Sequence, residues 1–103
     1  LINPGEEPID CARRELREET GYLAHRLEPL LSFYTSPGFT NELVHIYLAT
    51  DLEESITSLD EEEDIQIVHL PLQTALDQVM HREISDAKTI SGLLAYASRS
   101  QRA

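Results

Sequence analysis

No apolar run in this 103-residue chain approaches the roughly 18–20 residues that a helix needs to cross a bilayer, so no membrane partner is expected. No signal peptide is visible either. The single cysteine, Cys11, cannot form an internal disulfide, which makes a reducing cytoplasm the default compartment and a small buried thiol its ordinary role. Bases are scarce: eight against nineteen acids, for a formal net charge of −11. That field repels polyanions, and without a basic patch nucleic acid is excluded as a partner. His25, His45, His69 and His81 show no metal-ligand spacing and none has a neighbouring Cys. No Ser-His-Asp triad suggests itself, and there are no internal repeats. At 41% hydrophobic residues the chain is still globular in composition, with room for one small core.

What the chain has is acid, and its placement is informative. In Arg14-Glu15-Leu16-Arg17-Glu18-Glu19-Thr20-Gly21-Tyr22, the residues Glu15, Glu18 and Glu19 stand at i, i+3 and i+4, one face of a helix. Like charges so close destabilise an isolated helix by roughly 0.2–0.5 kcal/mol per pair. Two readings compete: a solvated acidic face, or a platform for a hard divalent cation such as Mg²⁺, which takes oxygen ligands from one or two carboxylates and substrate phosphates. Pro8 suits the first helical position and Gly21 a left-handed C-cap. Ile9, Ala12 and Leu16 form an apolar stripe beside the acids, the arrangement that would anchor a rigid metal platform.

Beyond the helix, Leu27 to Tyr34 reads as a strand, 36–41 as a turn-rich loop, and Glu42 to Asp51 as a strand with apolar groups on both faces. A polar stretch from Leu52 to Asp64 leads to a third strand, Ile65 to Leu70. Leu72, Ala75, Leu76, Val79 and Met80 have amphipathic helical spacing. A last helix from Asp86 to Ser98 would bury Ala87, Ile90, Leu93, Leu94 and Ala97, with Ser85 or Asp86 as N-cap. The order helix, three strands, two helices is that of a layered α/β domain.

The segment from Glu6 to Tyr22 resembles the Nudix box: glycine, five residues, Glu, seven residues, then Arg-Glu-aliphatic-x-Glu-Glu-x-Gly-aliphatic. Glu6, Arg14, Glu15, Leu16, Glu18, Glu19 and Gly21 match in register, and Tyr22 departs from the final aliphatic position. The opening glycine would fall immediately ahead of Leu1. The resemblance therefore implies a single Nudix hydrolase domain over 1–103, truncated at its N-terminus. The fold it implies is the C-terminal portion of an α/β/α sandwich, with the N-terminal strands missing. It further implies a homodimer as the full-length protein, and a feeble or inactive fragment alone.

Two loop features and one helix start resemble the ADP-ribose pyrophosphatase subfamily. One is the acidic run Asp60-Glu61-Glu62-Glu63-Asp64, where such enzymes carry a catalytic loop; by itself such a run is also an ordinary solvated loop. The other is Pro37, fifteen residues past Tyr22 in Ser36-Pro37-Gly38-Phe39-Thr40-Asn41-Glu42, which also reads as a plain Pro-Gly turn. Ser85-Asp86-Ala87-Lys88-Thr89 resembles the start of the subfamily's final helix. The resemblance implies Glu15, Glu18, Glu19 and Glu63 as ligands of Mg²⁺, with Mn²⁺ as a substitute, and Glu61 as the base; a one-residue slip would put either loop role on Glu62. Glu6, Arg14 and Gly21 would support the site, with Pro37 and Glu42 on the substrate side. The implied reaction is hydrolysis of the diphosphate of ADP-ribose to AMP and ribose 5-phosphate. Another nucleoside diphosphate sugar or a dinucleotide, and a non-catalytic nucleotide-binding module, are the alternatives.

Overall fold

A computed structural model describes residues 2–36, 42–55 and 67–101. Five elements follow in chain order: α1 (Pro8–Thr20), β1 (Tyr22–Tyr34), β2 (Leu43–Glu54), α2 (Leu72–Met80) and α3 (Ala87–Gln101). The two strands pair with each other. Ser55 N–H donates to the Gly21 carbonyl at 2.7 Å and Thr35 N–H to that of Glu42 at 3.3 Å, so partner numbers fall as β1 numbers rise and the pair is antiparallel.

Two compact units divide the chain. The first comprises Leu1–Pro29 and Tyr47–Ile67 and holds α1. Asn3-Pro4-Gly5-Glu6 leads into it, with Glu6 N–H donating to the Asn3 carbonyl at 2.9 Å and Gly5 at φ 79°. Proline second and a positive-φ glycine third is the signature of a type II turn. Pro8 then opens the helix, where its missing N–H costs nothing, and Gly21 at φ 76° closes it, donating to the Arg17 carbonyl at 2.9 Å. A Cβ at that left-handed position costs about 1–2 kcal/mol. Gly21→Ala should therefore lower unfolding free energy by about that amount in urea denaturation, and an unchanged midpoint would show the cap to be dispensable.

The helix bounds match those expected, but its burial does not. Among the described residues of α1 only Cys11 is buried, at 7% exposure, while Ile9, Ala12 and Leu16 are half-buried. The strands also run longer than expected. β1 begins five residues before Leu27, at Tyr22, and β2 continues past Asp51 to Glu54. Neither end alternates cleanly in sequence; both are held by backbone pairing and by cross-strand partners such as His25 and Glu53. No β2 residue is buried, so the expected covering on both faces is not seen. Of the expected third strand, 67–70 is not in strand conformation and 65–66 lie outside the described residues.

The second unit comprises Leu30–Ile46 and Val68–Ala103, and in it α2 and α3 pack together. Asp86 caps α3: its Oδ2 accepts from Thr89 N–H and from the Thr89 hydroxyl, both at 2.8 Å. These bonds hold the Asp86 carboxyl below its usual range. A Cβ at Gly92 would lie 3.3 Å from Ile46 Cγ2, which shows how closely α3 approaches β2. The five α3 residues expected inside are half-buried or exposed, Leu94 at 46% and Ala87 among them. Among the described residues the strands form one two-stranded sheet, too little area to cover two helix faces. Cys11, Ala24 and Ala75 are the buried hydrophobic residues among those described, and Val68 and Met80 stand 68% and 74% exposed.

Candidate functional site

The Asn3–Glu6 turn delivers the Glu6 carboxylate to the middle of α1. Its Oε1 accepts from Asn3 N–H at 3.0 Å and from Arg14 Nη2 at 3.2 Å, and its Oε2 accepts from Arg14 Nε at 3.1 Å. Fork-to-fork pairing of this kind fixes both direction and distance. The Arg14 guanidinium holds the Glu6 carboxyl below its ordinary 4.5, with the Asn3 N–H adding to the effect, and Arg14 is in turn held more firmly protonated. Because the folded value is lowered, the pair's stabilisation is complete above pH 4.5 and is lost as pH falls through the depressed value. Wild type should thus lose denaturation midpoint on acidification below pH 4.5 more steeply than Glu6→Gln; parallel pH profiles would contradict the coupling.

Arg14 also reaches forward. Its Nη1 lies 3.1 Å from Glu18 Oε2 and its Nη2 4.0 Å from Glu15 Oε1. The crowding of acids along the helix is therefore relieved by a cation one position from Glu15, a solution that the i, i+3, i+4 pattern alone did not disclose. Glu15 accepts from the Cys11 thiol at 3.2 Å, and Cys11 Sγ lies 3.7 Å from Arg14 Nη2. Hydrogen bonding to Glu15, then burial, raises the Cys11 thiol, which stays protonated and donating at neutral pH.

Carboxylates suit a hard divalent cation, and Glu15 and Glu18 are 34% and 50% exposed and open to a ligand. Among the described residues no three His, Cys, Asp or Glu side chains are gathered as a metal-binding group. An ion such as Mg²⁺ needs only one or two carboxylates when substrate phosphates and water supply the rest, so the donor set fits in kind.

The other expected residues fall differently. Glu61 and Glu63, with Glu62, lie outside the described residues, as does Pro37. Glu42 is described: its Oε1 accepts from the Thr35 hydroxyl at 3.0 Å at the end of the strand pair. His25 sits 2.6 Å from Glu53 and His45 2.9 Å from Ser32, exposed cross-strand pairs in keeping with surface roles. Sequence reasoning missed the company that Arg14 keeps with Arg13 and Arg17. The i, i+4 spacing of those two was the available signal, overshadowed by the acids.

The sequence profile of the NUDIX domain matches residues 1–90, and the chain belongs to that family. It is 48% identical over 90 residues to an ADP-ribose pyrophosphatase of Bacillus subtilis, covering 85% of this chain and 49% of that protein. It is 43% identical over 91 residues to a methanol dehydrogenase activator of Bacillus methanolicus, covering 86% and 49%. A GDP-mannose pyrophosphatase of Cronobacter sakazakii is 38% identical over 88 residues, covering 82% and 46%. A crystal structure of an ADP compounds hydrolase superposes with a TM-score of 0.84 at 30% identity, covering 98% of this chain and 55% of that one. The fold is thus Nudix-like α/β, and the chain spans about half the length of the relatives it matches. No helix among the described residues is long and apolar enough to cross a membrane.

Proposed function

We propose that the chain carries the acidic half of a Nudix hydrolase site that cleaves the diphosphate of ADP-ribose, with water, to AMP and ribose 5-phosphate. The observation that carries this reading is the Glu6–Arg14–Glu18 network, with Glu15 beside it, in the register of the family box. The 48% identity to an ADP-ribose pyrophosphatase supports the substrate. GDP-mannose is the second reading, favoured by the 38% identity to a GDP-mannose pyrophosphatase.

Glu15, Glu18 and Glu19 would hold a divalent cation, Mg²⁺ or Mn²⁺, with Glu63 as a further ligand. When bound, such an ion neutralises diphosphate oxygens and lowers the pKa of water. Glu61 takes the proton of the attacking water. Arg14, tied to Glu6, keeps Glu18 and Glu15 on one side of the helix while no other cation is present, and Cys11 fixes one oxygen of Glu15. Substrate-side contacts are assigned to the loop of Pro37 and Glu42. The protein acts as a homodimer in this reading, on a small nucleoside diphosphate and in the cytoplasm.

The test is product analysis with Mg²⁺ on ADP-ribose and GDP-mannose in parallel, carried out on the full-length protein. AMP release from ADP-ribose, with a kcat/KM at least tenfold above that for GDP-mannose, is expected. The reverse order would shift the assignment to the second substrate. No turnover of either would leave a binding module.

A further inference from the structure

The family pattern leaves the seven residues between Glu6 and Arg14 unspecified, so resemblance assigns no role to Cys11. It is nevertheless the buried residue of α1 among those described, at 7% exposure. Helical side chains lean toward the N-terminus, so those at i+3 and i+4, here Arg14 and Glu15, reach back over position 11.

The sulfur contacts both. It donates to Glu15 Oε1 at 3.2 Å and accepts from Arg14 Nη2 at 3.7 Å, two roles that one thiol can fill together. Arg14 Nη2 carries two hydrogens, and it also donates to Glu6 Oε1 at 3.2 Å. Neighbours i and i+1 on a helix do not face each other, and Arg14 approaches Glu15 only to 4.0 Å while closing to 3.1 Å on Glu6 and on Glu18. What joins Arg14 to Glu15 at hydrogen-bond distance is the sulfur one turn back, so a continuous chain of contacts runs from Glu6 through Arg14 and Cys11 to Glu15.

We propose that Cys11 is a positioning residue for the divalent-cation site: its thiol ties the orientation of the Glu15 carboxylate to the Glu6–Arg14 pair. This rests on the proposed reading of Glu15 as a metal ligand, and Cys11 is not itself a ligand in it. Glu is among the side chains with most rotamer freedom to lose, so a carboxylate whose direction is set in advance binds an ion at lower cost. The bond that sets it comes from a neutral and weak donor, so a cation draws on Glu15 without first breaking a close ion pair there.

Mn²⁺ titration of the full-length protein, followed by electron paramagnetic resonance, tests this without turnover. Cys11→Ala is expected to weaken Mn²⁺ about tenfold, the low end of what the partners of metal ligands contribute and in keeping with a weak S–H donor. Cys11→Ser, whose hydroxyl also donates and accepts, should stay closer to wild type. In a Glu15→Gln background, Cys11→Ala should change the affinity by less than about twofold, because the two residues act through one contact, whereas general damage to the helix would persist there. In the metal-free protein the S–H stretching band, isolated by its difference from Cys11→Ser, should rise in wavenumber in Glu15→Gln and shift in Glu6→Gln, which loosens Arg14. Circular dichroism verifies folding, and if Cys11→Ala does not fold, the band decides. Equal Mn²⁺ affinity in wild type and folded Cys11→Ala while Glu15→Gln weakens it, equal losses in both backgrounds, or a band indifferent to Glu15→Gln would overturn the coupling and leave the metal reading standing. An affinity unchanged by Glu15→Gln would instead remove the metal reading, and this inference with it.

Discussion

Replacing Glu19 by Gln is expected to lower metal-dependent diphosphate hydrolysis on the order of 100-fold or more. Partners one shell removed from a metal already change affinity or activity by about 10–100-fold, and a direct ligand should reach at least the top of that range. The substitution keeps the size of the side chain and removes one negative charge from a face where acids at i, i+3 and i+4 are crowded. Measured by AMP release across a Mg²⁺ series, the loss should be largest at low metal and partly recovered at high metal. A kcat/KM within a factor of three of wild type at low metal would remove Glu19 from the ligand set.

Glu61→Gln is expected to have an effect as large on a different quantity. A general base contributes roughly 10²–10⁴-fold, so kcat should fall by that order while Mn²⁺ affinity stays close to wild type. Glu63→Gln should instead weaken the metal. Glu62→Gln serves as the register check in the run Asp60 to Asp64. If its kcat loss exceeds that of Glu61→Gln, the base sits one residue further on. A small loss in all three would relieve the acidic run of any catalytic part.

The site's scaffold was legible where chemistry is local. Pro8 and Gly21 bound α1 as their backbone preferences dictate, and Glu6 and Arg14, which the family resemblance implies as support for the site, form a pair that closes at 3.1 Å. Asp86, one of two candidate caps, makes the capping bonds. What escaped was set by partners distant in sequence. Tyr22 to Arg26 has no clear alternation, yet it is strand because Ser55 and Glu53 lie across from it. Ile9, Ala12 and Leu16 form the stripe but are half-buried, with Cys11 the buried residue among the described residues of α1. Charge was legible in part: three like carboxylates suggested a cation from outside, and Glu18 and Glu15 also have Arg14 of the same helix at 3.1 and 4.0 Å.

That internal counter-ion would make the proposed metal binding an exchange: a divalent ion would have to compete with Arg14 for Glu18 and Glu15. Mn²⁺ titration followed by electron paramagnetic resonance tests the central claim most directly, because it reports occupancy of the carboxylates without turnover. The account predicts saturable binding to wild type, weakened at least tenfold in Glu15→Gln and in Glu19→Gln. Mn²⁺ affinity unchanged by both substitutions would contradict it.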